Sequence, residues 1–149
     1  MGRKQIIAIA VILILAAGGI YAWKEFNRTN ADLSTVKSSF EVTADNLIKD
    51  FEVNDTASSA KYLGKVITVK GLIKKIDKDD EGYYTVVLGD TSSMSSVRCA
   101  MDSAHSKDAT SLTPASSVAI KGFFTGYEKD DTGLLGSDVK LNRCVVVKD

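Results

Sequence analysis

The chain is poor in the residues that most often carry chemistry. It has one histidine, one proline, one tryptophan and two cysteines in 149 residues. The lone histidine, His105, sits in a polar stretch without a carboxylate or cysteine at a convincing spacing, so no serine triad can be built on it. It reads as solvent-exposed. Two cysteines and a distant histidine lack the ligand spacing of a zinc site. No GxSxG, HExxH or glycine-rich phosphate loop is present. With no nucleophile and base to pair, the chain is expected not to be an enzyme and to carry no cofactor or metal. Formal net charge is zero, so no overall field draws nucleic acid or an anionic surface. From Thr29 onward, 15 Lys plus Arg stand against 18 Asp plus Glu, a net charge of −3.

What the chain does have, first, is an apolar run. Ile6 to Trp23 is 18 residues without a charge, preceded by Arg3 and Lys4. A spanning helix needs about 17 to 25 such residues. Tyr21 and Trp23 lie at its far end, where interfacial aromatics belong. The favoured reading is an uncleaved transmembrane anchor over 1–28. The rival is a signal peptide cut near Ala16-Ala-Gly18. Either way the rest of the chain is exported, to the periplasmic or outer side of the membrane. Lys24, Arg28 and Lys37 weaken the charge asymmetry that would fix orientation. Residues 29–41 read as a polar linker.

Residues 42–149 then read as one domain, mainly β. Val42 to Tyr62 looks helical, with Thr43 as N-cap, Asp45 in the first turn, and Ala44, Leu47, Ile48 and Phe51 as the buried stripe. The segment Asn54 to Ala60 is weaker, and the helix is expected to fray or break there, before a stop at Gly64. Ile67, Val69 and Ile73 follow on one parity, and Ile76 on the other. That slip predicts a β-bulge near Lys74 and Lys75. Gly71, without a Cβ, permits a sharp bend in this first long strand. Val118-Ala-Ile120-Lys-Gly122-Phe-Phe124 repeats the order of Ile67-Thr-Val69-Lys-Gly71-Leu-Ile73. Strands are also expected over 82–89, 97–101 and 139–147. Five short strands, with a connection of polar residues 104–112 between the third and fourth, fit the Greek-key barrel called the OB-fold, here with a leading helix.

Asn54, Tyr62-x-Gly64-Lys65, Val69-x-Gly71, Val97-x-Cys99, Val118-x-Ile120-x-Gly122 and Leu141-x-x-Cys144 occur in an order that resembles the tRNA-anticodon-like OB-fold family. The resemblance covers about residues 43–147. Many members carry alanine where Ser58 stands, so local helix packing is expected to differ. The resemblance implies a small bacterial protein, membrane-anchored or exported, and by itself implies no particular activity. It does not imply tRNA binding.

Several residues stand as candidates. Cys99 and Cys144 would lie on neighbouring strands and could bridge in an oxidising compartment. Their parities disagree, however, so a bridge requires a bulge near Asn142; the alternative is two buried thiols. The run Asp77 to Gly82 begins like a calcium loop, but position 12 would be Leu88, so it reads as a hairpin turn. Glu128 to Gly133 is a second acidic turn. These turns would frame the usual OB binding face, where their charge disfavours nucleic acid. Tyr83, Tyr84, Arg98, Phe123, Tyr127 and Arg143 are the candidate ligand face. The expectation is a membrane-anchored binding or assembly module for a protein segment or an oligosaccharide. The alternative is a single-stranded nucleic-acid binder.

Overall fold

The computed structural model describes residues 2–26 and 31–148. Residues 27–30, the junction between the expected anchor and linker, lie outside the described residues. The chain forms two units, 1–31 and 32–149. In the first, helix α1 (Arg3–Phe26) contains Gln5–Glu25, the one helix among the described residues long and apolar enough to cross a membrane.

The second unit is a closed barrel. Its strands are β1 (Phe40–Thr43), β2 (Val66–Lys78), β3 (Tyr84–Leu88), β4 (Ser96–Met101), β5 (Ser117–Glu128) and β6 (Asp138–Val146). The sheet runs β1-β2-β3-β4-β6-β5 and closes through β2 and β5. Only β1–β2 and β4–β6 are parallel. This connectivity is the OB-fold, and β1 is an added edge strand. Residues 32–41 therefore do not stand off as a linker: Leu33 is buried, and Phe40 and Val42 pack against the core.

The helical segment is broken at Asn54 into two helices. In α2 (Ala44–Val53), the Thr43 hydroxyl accepts the Asn46 N–H at 3.3 Å, and Ala44, Leu47, Ile48 and Phe51 face the core. Asn54 ends α2 and caps α3 (Asp55–Tyr62), its side chain accepting the Ala57 N–H at 2.9 Å. Ser58 fits the elbow because its hydroxyl donates to the Asp50 carbonyl at 2.8 Å. Tyr62 is fully buried and donates to the Asp50 carboxylate at 2.7 Å; burial pushes its phenol pKa up. Phe51 stacks on Phe124 at 5.2 Å and on Tyr127 at 4.7 Å, so α2 plugs the barrel with aromatic surface.

The two similar segments pair with each other. Val69 opposes Ile120, Ile67 opposes Gly122, and Gly71 opposes Val118. Each glycine meets a close neighbour: a Cβ on Gly71 would lie 2.8 Å from the Ala44 Cβ, and one on Gly122 would lie 2.5 Å from the Cys144 Sγ. The expected bulge on β2 is present, since Ile73 and Lys75 pair with the consecutive residues Leu88 and Val87. A second bulge interrupts β6. There Cys99 pairs with Leu141 but Met101 with Cys144, and Arg143 takes φ +54°.

Candidate functional site

The β6 bulge decides where the cysteines point. It shifts Cys144 by one residue and turns it inward, where both cysteines are fully buried. The bridge considered for them is not formed in this structure: both are free thiols. Burial, with the Cys99 thiol alongside, raises the Cys144 pKa well above its usual value. The pair lines the core and does not reach the surface.

The outer face of β3 and β4 carries Thr85, Val87, Ser96, Arg98 and Ala100, as strand alternation dictates. Two cavities lie at its opposite ends. The notch lies between the β3–β4 and β5–β6 loops and has a volume of about 400 Å³. Its cations are Lys74, Lys75 and Arg98, its carboxylate is Asp138, and its apolar walls include Val87, Met94 and Leu135. Lys74 Nζ is fixed by neutral oxygens: the carbonyls of Ser93 (2.6 Å) and Ser95 (3.1 Å) and the Ser96 hydroxyl (3.0 Å). Arg98 lies between Asp138 (3.5 Å) and Asp77 (3.7 Å) without a close bidentate partner. Lys75 pairs with Asp77 at 2.8 Å. Exposed pairs of this kind contribute about 0–1 kcal/mol, so an incoming carboxylate can compete for them.

The β5–β6 loop is locked over this notch. Asp130 accepts the N–H groups of Thr132 (2.9 Å), Leu135 (2.7 Å) and Gly136 (3.0 Å) and the Thr132 hydroxyl. Those bonds hold its carboxyl well below the usual range. Gly136, at φ +76°, packs so tightly on Met94 that any Cβ would overlap the Met94 carbonyl. Ser137 N–H donates to the Ser95 hydroxyl (3.1 Å), which donates to Glu52 (3.2 Å). Met94, Leu134 and Leu135 are left strongly exposed.

At the other end of β3 is a groove of about 680 Å³ between the β2–β3 turn and a 3-10 helix, Ser106–Ser111. It is lined by Tyr83 and Tyr84 on one side and by Ser103, Ser106, Lys107 and Thr110 on the other. Four steps of β3 separate groove from notch by about 14 Å.

The six candidate face residues thus divide. Tyr83 and Tyr84 belong to the groove, and Arg98 to the notch. Tyr127 is turned inward onto Phe51, because β5 carries a further irregularity between Phe124 and Gly126. Phe123 lies apart on β5, and Arg143 sits in the β6 bulge facing Asp102 at 3.6 Å. Arg98 is opposite Lys140 in register, so it does not share a site with Arg143. Among the described residues, no aromatic ring lies on the outer face between the cavities. The single histidine is not solvated as expected. His105 Nε2 lies 3.1 Å from both carboxylate oxygens of Asp32, and Nδ1 lies 3.6 Å from Asp108. Together with Lys121, which donates to the carbonyls of Ser34 (3.3 Å) and Val36 (2.8 Å), it straps residues 32–36 to the barrel. Asp32 has a lowered pKa, first from the Ser34 backbone N–H.

Fold and cavities together define an OB-fold barrel with a concavity at each end of its β3–β4 face. The family model described as tRNA_anti-like matches residues 1–138, and the chain belongs to that family. No curated protein matches it in sequence. Among solved structures it is similar to a lipoprotein of Klebsiella pneumoniae subsp. pneumoniae MGH 78578, proposed there to bind nucleic acid. The TM-score is 0.57 and the identity 24%, with 74% of this chain and 93% of that chain covered. More distant neighbours are Entamoeba histolytica asparaginyl-tRNA synthetase in complex with asparaginyl-adenylate (TM-score 0.39, 21% identity, 58% and 21% covered) and the S. pombe Stn1-ten1 complex (0.37, 22%, 56% and 59%). The likeness to the Klebsiella lipoprotein shows the fold.

Proposed function

We propose that the protein is a membrane-tethered binding module that acts without catalysis, with α1 as anchor and the barrel on the extracytoplasmic side. Its notch holds a protein segment that places an acidic side chain beside an aliphatic one. The observation that carries this reading is the notch's mixed wall. Lys74 is an organised cation with no carboxylate among its hydrogen bonds, and Arg98 is held only loosely by Asp138 (3.5 Å) and Asp77 (3.7 Å), exposed pairs that a bidentate carboxylate can displace. Val87, Met94 and Leu135 stand beside them for an apolar neighbour. The test uses the full chain, isotope-labelled, in detergent micelles, titrated with a short peptide of alternating Glu and Leu. Amide shifts at Met94, Arg98 and Leu135 are expected, and Arg98→Glu should weaken the peptide about tenfold or more. A peptide that shifts no notch residue ends this reading.

A second reading is single-stranded nucleic acid. The name given to the Klebsiella neighbour favours it, and so do Lys74, Lys75, Arg98 and Lys140 along one face. Against it stand the acidic turns and the lack of rings on that face for bases to stack on. An oligothymidylate whose affinity falls steeply with salt would establish it; no binding at low salt would remove it. Protease added to cells stripped of any outer membrane, cleaving the barrel but sparing α1, would establish the proposed side; protection there, with cleavage after lysis, would reverse it.

A further inference from the structure

The groove beside Tyr83 is chemically unlike the notch, and we propose that it is a separate binding site for a neutral oligosaccharide. The site stands independently of the notch reading. Tyr83 is 47% exposed, yet its backbone is held firmly. The Asp79 carboxylate accepts the N–H groups of Tyr83 (2.8 Å) and Glu81 (3.1 Å), and the Asp79 N–H donates to the Tyr83 carbonyl at 3.0 Å. Gly82 takes φ +89° to close this turn and donates to the Asp79 carbonyl at 3.1 Å. Next to it, Tyr84 is covered by the Lys78 ammonium, 5.4 Å from the ring centre.

The facing wall is equally fixed. Asp102 accepts the Ala104 N–H on its carboxylate (2.9 Å) and the His105 N–H on its carbonyl (3.0 Å). The Thr110 hydroxyl donates to the Lys107 carbonyl at 2.7 Å, over a buried Ala109. A ligand would not have to order either wall, which keeps the entropic cost of binding low. Among the described residues, no protein group engages the Ser103 or Ser106 hydroxyl or the Lys107 ammonium.

The lining selects the ligand class. It offers one accessible aromatic face and a rim of neutral hydroxyls, the Lys107 ammonium and the Glu81 carboxylate, with the second ammonium, Lys78, laid over Tyr84, but no aliphatic side chain. An aliphatic peptide residue would find no matching pocket. A pyranose ring has an apolar C–H face to lay on Tyr83 and hydroxyls around its edge for the mixed donors and acceptors. A polyphosphate would meet Asp79, Asp80 and Glu81 in the adjoining turn, charges that repel it. The volume is within the usual range of small-ligand sites, about 300–1,000 Å³.

The experiment uses the full chain, isotope-labelled, in micelles of a detergent without a sugar headgroup. Maltotetraose, cellotetraose and chitotetraose are each titrated to millimolar concentration. At least one should shift the amides of Tyr83, Ser103, Ser106 and Lys107 while leaving Arg98 unmoved. Tyr83→Ala should weaken that sugar about tenfold or more, Tyr83→Phe by about threefold or less, and Arg98→Glu not at all. Tyr83 is at the surface, so an unchanged amide spectrum at Val69 and Ile120 reports that each variant is folded. The proposal is overturned if none of the three sugars shifts the groove, or if Tyr83→Ala leaves the affinity unchanged. It is also overturned if oligothymidylate displaces the sugar with a steep salt dependence.

Discussion

The notch and the groove sit at opposite ends of the same short strand, yet they are built on different principles. The notch is open on an aliphatic and cationic wall, and its shape depends on a loop held by one carboxylate and one glycine, Asp130 and Gly136. The groove is aromatic and hydroxyl-rich, and its shape depends on a tight turn held by Asp79 and Gly82. A barrel core that is closed on all sides can therefore carry two recognition chemistries, because each is set by loops and not by the strands.

The largest perturbation should fail to distinguish them. Phe51→Ala removes the ring stacked on Phe124 and Tyr127 in the core, and should cost about 3–5 kcal/mol in chemical unfolding while weakening both cavities together. If one cavity kept full affinity at reduced global stability, that cavity would not depend on the plugged barrel. Gly136→Ala comes next. Its left-handed backbone and the overlap with Met94 predict a loss of about 2 kcal/mol, with the notch peptide lost and the groove unaffected. Loss of sugar binding in this variant would show that the two ends are coupled.

Asp79→Ala should do the opposite at smaller scale. Amide exchange at Glu81 and Tyr83 should quicken while Leu135 and Gly136 keep their protection. The mildest test is pH. Asp130 has a folded pKa below the ordinary value of 3.8, so its stabilising bonds are fully present above that value and are lost as pH falls through the folded pKa. Amide protection of Leu135 and Gly136 should accordingly hold steady from pH 7 to about 4 and decline only below it. Asp130→Asn should flatten that dependence. A loop that loosened between pH 7 and 5 would contradict the assignment.

Much of the barrel was legible because it obeys strand alternation. The parity change between Ile73 and Ile76 announced the bulge at Lys74; Gly71 reads as permitting a bend, and what its missing Cβ makes room for is Ala44. The helix break at Asn54 was marked by the weak second half of that segment. Edge strand β1 was missed, although Phe40-x-Val42 alternates, because its setting is polar. His105 read as solvated because its partner Asp32 lies 73 residues away. Tyr127 was assigned to the wrong side for the reason that made Cys144 ambiguous: an irregularity in the strand reverses the facing of the residues beyond it. The candidate ligand residues scattered because the cavity walls come from distant loops, such as Leu135 over Lys74 and Ser106 facing Tyr83, and no local pattern records that pairing.

The most direct measurement is a competition on one labelled sample of the full chain. The Glu–Leu peptide is added to saturation, then the sugar that shifts the groove, with every amide monitored throughout. Two independent cavities predict that Arg98 and Leu135 respond only to the peptide, Tyr83 and Ser106 only to the sugar, and that neither ligand changes the affinity of the other. A single set of residues answering both ligands, or either ligand expelling the other, would contradict the account.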